Sequence, residues 1–500
     1  MKKFVIYLLI LNSLVFISCK DMLDLKPQSS LGFNSFWINE DGVKAAQVAL
    51  HANFRDFDQK LWALGELRSD IWGGVSLESP SISNMQVIGQ DISVDKVPDY
   101  SVNWSGFYTF IYLVNDIIKN APNITFQKKS ERDYILGQAY GVRAFIYYTM
   151  LKTWGDVPLV LEPIEKIDFE NLYIARTPAV QIMNQIKNDI QSSLDKFADD
   201  NSFLKNNRDY WSKAATLTLK ADVFIWSGTQ MEGGNADYTI AKQALQAVID
   251  MGNFQLLSNF SDVFSYSNKN NKEIIFAFSF AIDQATNWYY GNFTARKSDI
   301  AILYLRNGQP TTSLIVNGGN LLGPSNELLT KWIDFDDTRN DATFYRLYSN
   351  PNATGYKTSM LRKFWGTISA GVMVGADDIP VYRYADVILL MAEAKNLLGE
   401  DPSAEINQIR KRAYGSKFPG HEYTNGTKEK NIESILDERL FEFIGEGKRW
   451  FDLRRSGNNW VFKFNKFLNP AIDTYLLLLP ITREMMGRNV LLTQTPGYTN

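Results

Sequence analysis

The sequence predicts a mostly α-helical protein, a scaffold of antiparallel helical hairpins interrupted by a long loop-rich insertion that carries a few short strands. Three observations lead there. Apolar residues recur at three- and four-residue spacings through much of the first 250 residues and again from residue 384 onward. Small residues sit at the packing positions of two successive helical stretches. Between about 252 and 379 the periodicity fades, and Gly, Asn, Ser and Thr become frequent.

In chain order, Met1-Lys2-Lys3 is a positive leader and residues 4–17 are an apolar run broken only by Asn12 and Ser13, as in a secretory signal. Fourteen residues are too few for a helical span, which takes about 20. Cys19, the only cysteine, follows this run directly after Ser18, in the manner of a bacterial lipobox; Phe16 and Ile17 depart from its usual pattern. The expectation is a signal peptide over 1–18, an acylated Cys19 and a tether over 19–36, rich in Pro27, Ser29, Ser30, Gly32 and Asn34. Each buried methylene of an acyl chain contributes about 0.8 kcal/mol, so several chains would hold the protein to its membrane. Lys20-Asp21, with Asp24 behind, is similar to an acidic signal that sends lipoproteins to the outer face.

Residues 37–500 read as a single domain. Helices are expected at 40–57 and at 104–119, where Phe107, Phe110, Ile111, Val114 and Ile117 or Ile118 share a face. A third runs over 134–154 through Ile135, Ala139, Val142, Ile146 and Met150 and stops at Gly155, with Pro158 just beyond. Stretches 178–197, 210–226 and 238–251 follow with short polar links, which suggests hairpins. Ala214, Ala215 and Ala221, then Ala241, Ala244 and Ala247, permit close helix approach as in tetratricopeptide pairs, although no strict 34-residue period is visible. Residues 273–280 look like a strand. Helical pattern returns at 384–398, 404–414 and 432–444.

Composition removes several functions. The chain of 500 residues carries a net charge of −3, or −5 once Lys2 and Lys3 leave with the signal, so a nucleic-acid partner has no electrostatic support. One cysteine excludes an internal disulfide framework and a cysteine-based zinc cluster. Two histidines, His51 and His421, argue against multi-histidine metal sites and histidine-dependent catalysis. No Walker loop, zincin helix, nucleophile elbow or dinucleotide fingerprint is present. Asp334, Asp336, Asp337 and Asp341 form the densest acidic cluster; oxygen ligands at such spacing suit Ca²⁺, but the turn glycine of an EF-hand loop is missing, and no cofactor is expected.

Several ordered motifs resemble those of the SusD/RagB family of outer-membrane nutrient-binding lipoproteins. They are Gly141 through Val160, with Trp154-Gly-Asp-Val-Pro158 at its end; Ile379 through Asn396, containing Arg383-Tyr-Ala-Asp-Val387; Asn407 through Ala413; and Asp437 through Gly457, containing Asp437-Glu-Arg439 and Arg449-Trp-Phe-Asp-Leu-Arg454. The ending over 475–498 is also similar, with Thr482 and Thr495 in place of the family's Pro and Asn. The resemblance implies a SusD-like fold with tetratricopeptide-like helix pairs, capture of an oligosaccharide at the outer cell surface, no enzymatic activity, and delivery to a TonB-dependent SusC-like transporter.

Sugar recognition needs flat apolar faces for the C–H faces of the rings, and planar polar groups for paired hydroxyls. Two loops supply aromatics beside Gly and Asn, namely 67–74 and 287–293. The candidates are Trp72, Trp288, Tyr289 and Tyr290 for stacking, and Arg68, Asp70 and Asn292 for hydroxyls. The competing reading is that these rings pack the loops onto the scaffold. Trp154, Trp226 and Trp450, within or at the ends of helices, are assigned to the core. Two other functions stay open: a surface glycoside hydrolase using Glu438 and Glu442, which lie four residues apart on one helix face, and a helical-repeat adaptor for a protein ligand.

Overall fold

A computed structural model describes residues 36–77, 82–95, 103–163 and 173–499. The signal peptide, Cys19 and nearly all of the tether lie outside the described residues.

The first long helix, α1 (Glu40–Arg55), begins where the Asn39 side chain accepts from the Gly42 amide at 3.2 Å, satisfying one of the unpaired donors of the first turn. α2 (Ser105–Asn120) buries Phe107, Phe110, Ile111, Val114 and Ile117, the face expected from the sequence. α3 (Lys129–Trp154) is buried over most of its length and ends at Gly155, whose φ of +73° favours glycine. It starts five residues before the apolar pattern does, because its first turn is polar and solvent-facing.

α3 packs on α4 (Ala179–Phe197), and α5 (Lys213–Gln230) packs on α6 (Gly234–Asp250) as a second hairpin. After the insertion come α7 (Tyr384–Leu397), α8 (Ser403–Tyr414), α9 (Lys428–Phe443) and α10 (Arg449–Arg455). α4 also contacts α5, and α6 contacts α7, so the stack of hairpins is continuous across the insertion. The approach of α3 to its neighbours requires glycine: a Cβ at Gly141 would stand 2.2 Å from Trp211 Nε1. α10 was not anticipated as a helix; its seven residues are all buried, so no polar face marks its period.

The insertion leaves after Asp250 and returns at Tyr384. Its two ends are joined where strand Ile274–Phe278 pairs antiparallel with Ile379–Arg383, with Ile274 opposite Arg383 and Phe278 opposite Ile379. Between them lie short helices and small sheets, the largest joining Tyr304–Leu305, Phe344–Tyr348 and Thr358–Leu361. Sequence length alone marks this region as irregular, since strands of two to five residues are too short to show a period. No helix among the described residues is long and apolar enough to cross a membrane.

Candidate functional site

The structure brings the two aromatic loops together, but it turns their rings inward. Trp72 is buried, its indole N–H donating to Glu66 Oε1 at 3.1 Å and its ring 4.8 Å from Phe293. Tyr289 is buried and donates to the Gly445 carbonyl at 2.7 Å; Tyr290 is buried as well. Trp288 is half-buried, 4.7 Å from the Trp62 ring, and Asn292 Nδ2 donates to the Trp288 carbonyl at 2.7 Å. Arg68 is buried over the Trp450 ring and donates to Gln90 Oε1 and the Leu476 carbonyl. Asp70 accepts two hydrogen bonds from Arg449, both 2.8 Å. Of the seven expected glycan contacts, Arg68, Trp72, Tyr289 and Tyr290 are buried and turned away from solvent, whereas Asp70, Trp288 and Asn292 keep part of their surface exposed. Their rings and charges fasten the loops to the scaffold.

The same region explains why. Glu66 is fully buried and needs donors, which Trp72 and the Gly445 and Gly447 amides supply; burial still pushes its carboxyl up to about 7. Beside this cluster lies a small cavity of about 80 Å³ lined by Trp62, Tyr289 and Lys152, among others. It is too small for a pyranose ring.

The carboxylate pair is equally committed. Glu438 accepts from Arg339 at 2.9 Å and from Arg410 at 2.7 Å, and Glu442 from Arg383 at 2.6 Å and Arg339 at 3.2 Å. Burial opposes ionisation of Glu442, but Arg412, Arg383 and Arg339 outweigh it and hold the carboxyl well below the usual carboxylate range. A general acid needs the opposite shift. In the acidic cluster, Asp337 is buried against Arg339 and Asp341 is paired with Arg306. Among the described residues no three ligating side chains converge as a metal site.

A groove of about 500 Å³ runs along α2 and offers what the loops do not. Trp104 and Tyr108 form its floor: Trp104 is buried edge-on to Tyr108 and Trp154, and Tyr108 is half-buried with its hydroxyl donating to the Pro158 carbonyl at 2.8 Å. Tyr112, one turn further, is 37% exposed. A second wall is the non-helical segment carrying Pro158, Val160 and Glu162. The third contains Met485, Arg488, Asn489 and Leu492, on and after α11 (Arg483–Arg488), whose start is capped by Thr482. Ile174 closes the groove, held by Asn489 Nδ2 donating to its carbonyl at 2.9 Å. Two other open grooves, of about 460 and 560 Å³, each present two aromatic residues: Tyr134 with Tyr210, and Phe254 with Tyr384. Of these three open grooves, the one along α2 has three aromatic residues in its lining, with Asn103, Thr109, Asn489, Arg488 and Glu162 beside them.

The sequence did contain a signal for it. Trp104, Tyr108 and Tyr112 repeat every four residues, and a helix whose core-facing stripe is already complete has no packing need for a second aromatic stripe. The partner walls come from Pro158, Val160 and Glu162, from Ile174, and from residues 485–492, which no local pattern connects.

Comparison with known proteins adds an independent line. The chain matches the family described as "SusD family" over residues 284–498, and "Starch-binding associating with outer membrane" over 21–219. SusD-like protein P38 from Formosa agariphila is 26% identical, the match spanning 91% of this chain and 92% of that one. The structure of B. fragilis NanU is 36% identical, with a TM-score of 0.86, over 95% of this chain and 100% of the other. A structure described as a laminarin binding SusD-like protein has a TM-score of 0.74 at 19% identity, over 92% and 100% of the two chains, and shares the fold.

Proposed function

The chain belongs to the SusD/RagB family, and from that premise we propose that it is a non-enzymatic glycan-binding protein of the outer membrane, capturing an oligosaccharide in the groove along α2. The observation that carries this reading is the aromatic stripe Trp104, Tyr108 and Tyr112 lining a groove of sugar-binding size beside amide and charged side chains. Relatives described as starch-binding and laminarin-binding support the ligand class. Acylation at Cys19 would hold the body at the outward face of the membrane, and a TonB-dependent SusC-like transporter is the partner to which the glycan passes. The hydrolase reading loses its candidate pair, since Glu438 and Glu442 are enclosed by arginines.

The test is calorimetric binding of the mature chain carrying Cys19→Ser to a panel of plant and host glycans, with product analysis of every ligand bound. Binding without new products is the expected result. Turnover of a bound glycan would establish the hydrolase instead.

A further inference from the structure

A chain of buried charges borders the small cavity beside Trp62 and Tyr289. Lys448 pairs with Asp386 at 2.7 Å, Asp386 with Arg439 at 3.4 Å, Arg439 with Asp452 at 2.8 Å, Asp452 with Arg455 at 2.9 Å, and Arg455 with Asp222 at 3.1 Å. All six residues line the cavity, and α5, α7, α9 and α10 each contribute at least one of them. Lys152, from α3, lines it too, but its ammonium meets rings and not carboxylates. It lies 4.0 Å from the Tyr148 ring centroid and 4.2 Å from that of Phe451, and among the described residues it makes no ion pair or hydrogen bond. Burial pulls this ammonium down to about 8, which still leaves it mostly charged at neutral pH. Five more polar atoms of the lining are orphaned: among the described residues, Arg439 Nε and Nη1, Asp452 Oδ2, Asp58 Oδ2 and Trp62 Nε1 are buried with no hydrogen-bond partner. Buried polar groups are nearly always paired, either with protein or with ordered water.

The geometry points to a cluster of ordered water molecules as the occupant of this cavity, bonded to Lys152, Arg439 and Asp452 and forming part of the fold. The mixture of orphaned atoms selects it. The Arg439, Lys152 and Trp62 nitrogens can only donate, whereas ionised Asp452 and Asp58 oxygens can only accept. An anion would leave the carboxylates unanswered, and a metal cation would leave the guanidinium and the ammonium unanswered. A small molecule that both donates and accepts serves the two kinds together. Size agrees, because one water takes about 10–15 Å³ of such space and the cavity of about 80 Å³ holds several. The cluster links the Lys152 ammonium of α3 to the carboxylates of α5 and α10, where direct ion pairs are not made. The cavity shares no lining residue with the groove along α2, so the assignment does not depend on the ligand captured there.

The experiment is a crystal structure of the mature chain carrying Cys19→Ser, at a resolution that orders solvent, from native crystals and from crystals soaked in sodium bromide, with the same chain bearing Lys152→Met alongside. Several fully occupied water peaks are expected in the cavity, one within hydrogen-bond distance of Lys152 Nζ and another of Asp452 Oδ2, with no anomalous bromide signal there. Lys152→Met is expected to lose the peak beside position 152 and to keep the one on Asp452. A cavity without solvent peaks, or one closed by side chains that pair the orphaned atoms with one another, overturns the proposal on the Cys19→Ser chain alone, whether or not the second variant folds. A bromide peak or a metal ion in the cavity overturns it as well, because the occupant is then an ion. A water pattern that Lys152→Met leaves unchanged overturns the part given to Lys152.

Discussion

Tyr112 and Trp72 illustrate how differently two aromatic residues of one chain are used. Tyr112 projects from a helix whose inner face is already filled and is 37% exposed on the groove side. Trp72 lies in a Gly-rich stretch that forms a short strand against Gly323–Pro324, and its ring is buried against Trp62 and Phe293 with its N–H donating to Glu66. Trp72→Ala is expected to cost about 3–5 kcal/mol of stability in urea unfolding, while Tyr112→Ala leaves the unfolding midpoint in place and lowers glycan affinity roughly tenfold, or about 1.4 kcal/mol. The loop residues looked functional because Gly and Asn beside an aromatic usually mean exposure. Which way such a ring turns depends on what lies under the loop, and Glu66 and Gly445 are remote from each other in sequence.

His51 gives a pH-dependent counterpart. Burial lowers its value to about 4, against a weaker opposing effect of the Gln47 carbonyl, which accepts from Nδ1; the other nitrogen accepts from the Trp211 amide at 3.0 Å. The folded state binds the proton less readily than the unfolded state, so the stabilisation is complete above the unfolded value near 6.5 and is lost as pH falls toward 4. Comparing thermal midpoints of the native chain and His51→Gln between pH 7 and pH 4 isolates this contribution, expected to be on the order of 2 kcal/mol. Parallel pH slopes for the two proteins would refute it.

At the scale of elements, most long helices were legible because each keeps one apolar face through several turns; α10, buried throughout its seven residues, was not. The charged motif of α9 and α10 was visible as a motif, but its role required the fold. Arg383, at the start of α7, is fully buried and reaches Glu273 at 2.7 Å, Glu442 at 2.6 Å and Glu446 at 3.0 Å. Removing one member strands the others without water, so Arg383→Met is expected to cost about 3–5 kcal/mol by chemical denaturation. Gly141→Ala tests the close packing of α3: the added methyl collides with the Trp211 indole, and overpacking of this kind costs about 1–3 kcal/mol. A thermal midpoint equal to that of the native chain would contradict the role assigned to either residue.

For the whole molecule, the sequence conveyed the order of parts: a helical stack, an irregular excursion, then the rest of the stack. It did not convey that α6 and α7 meet across that excursion, nor that the excursion supplies Glu273, Arg339 and Lys363 to charges carried by α7, α8 and α9. The proposed membrane attachment belongs to this scale too. Cys19→Ser is expected to move the protein from the membrane pellet to the soluble fraction of the cell envelope, and retention in the pellet without lipid would point to a different anchor.

The shared arginines have a consequence for survival outside the cell. Arg383 and Arg412 share Glu273, which the excursion supplies, so a cut within it that let Glu273 drift away would leave both buried arginines leaning on Glu442 and Glu446 alone, short of one carboxylate in an apolar interior. Partial damage would then not yield a partly working receptor. Each copy would behave as a single fuse, intact under attack by extracellular proteases until one opening event ends it altogether.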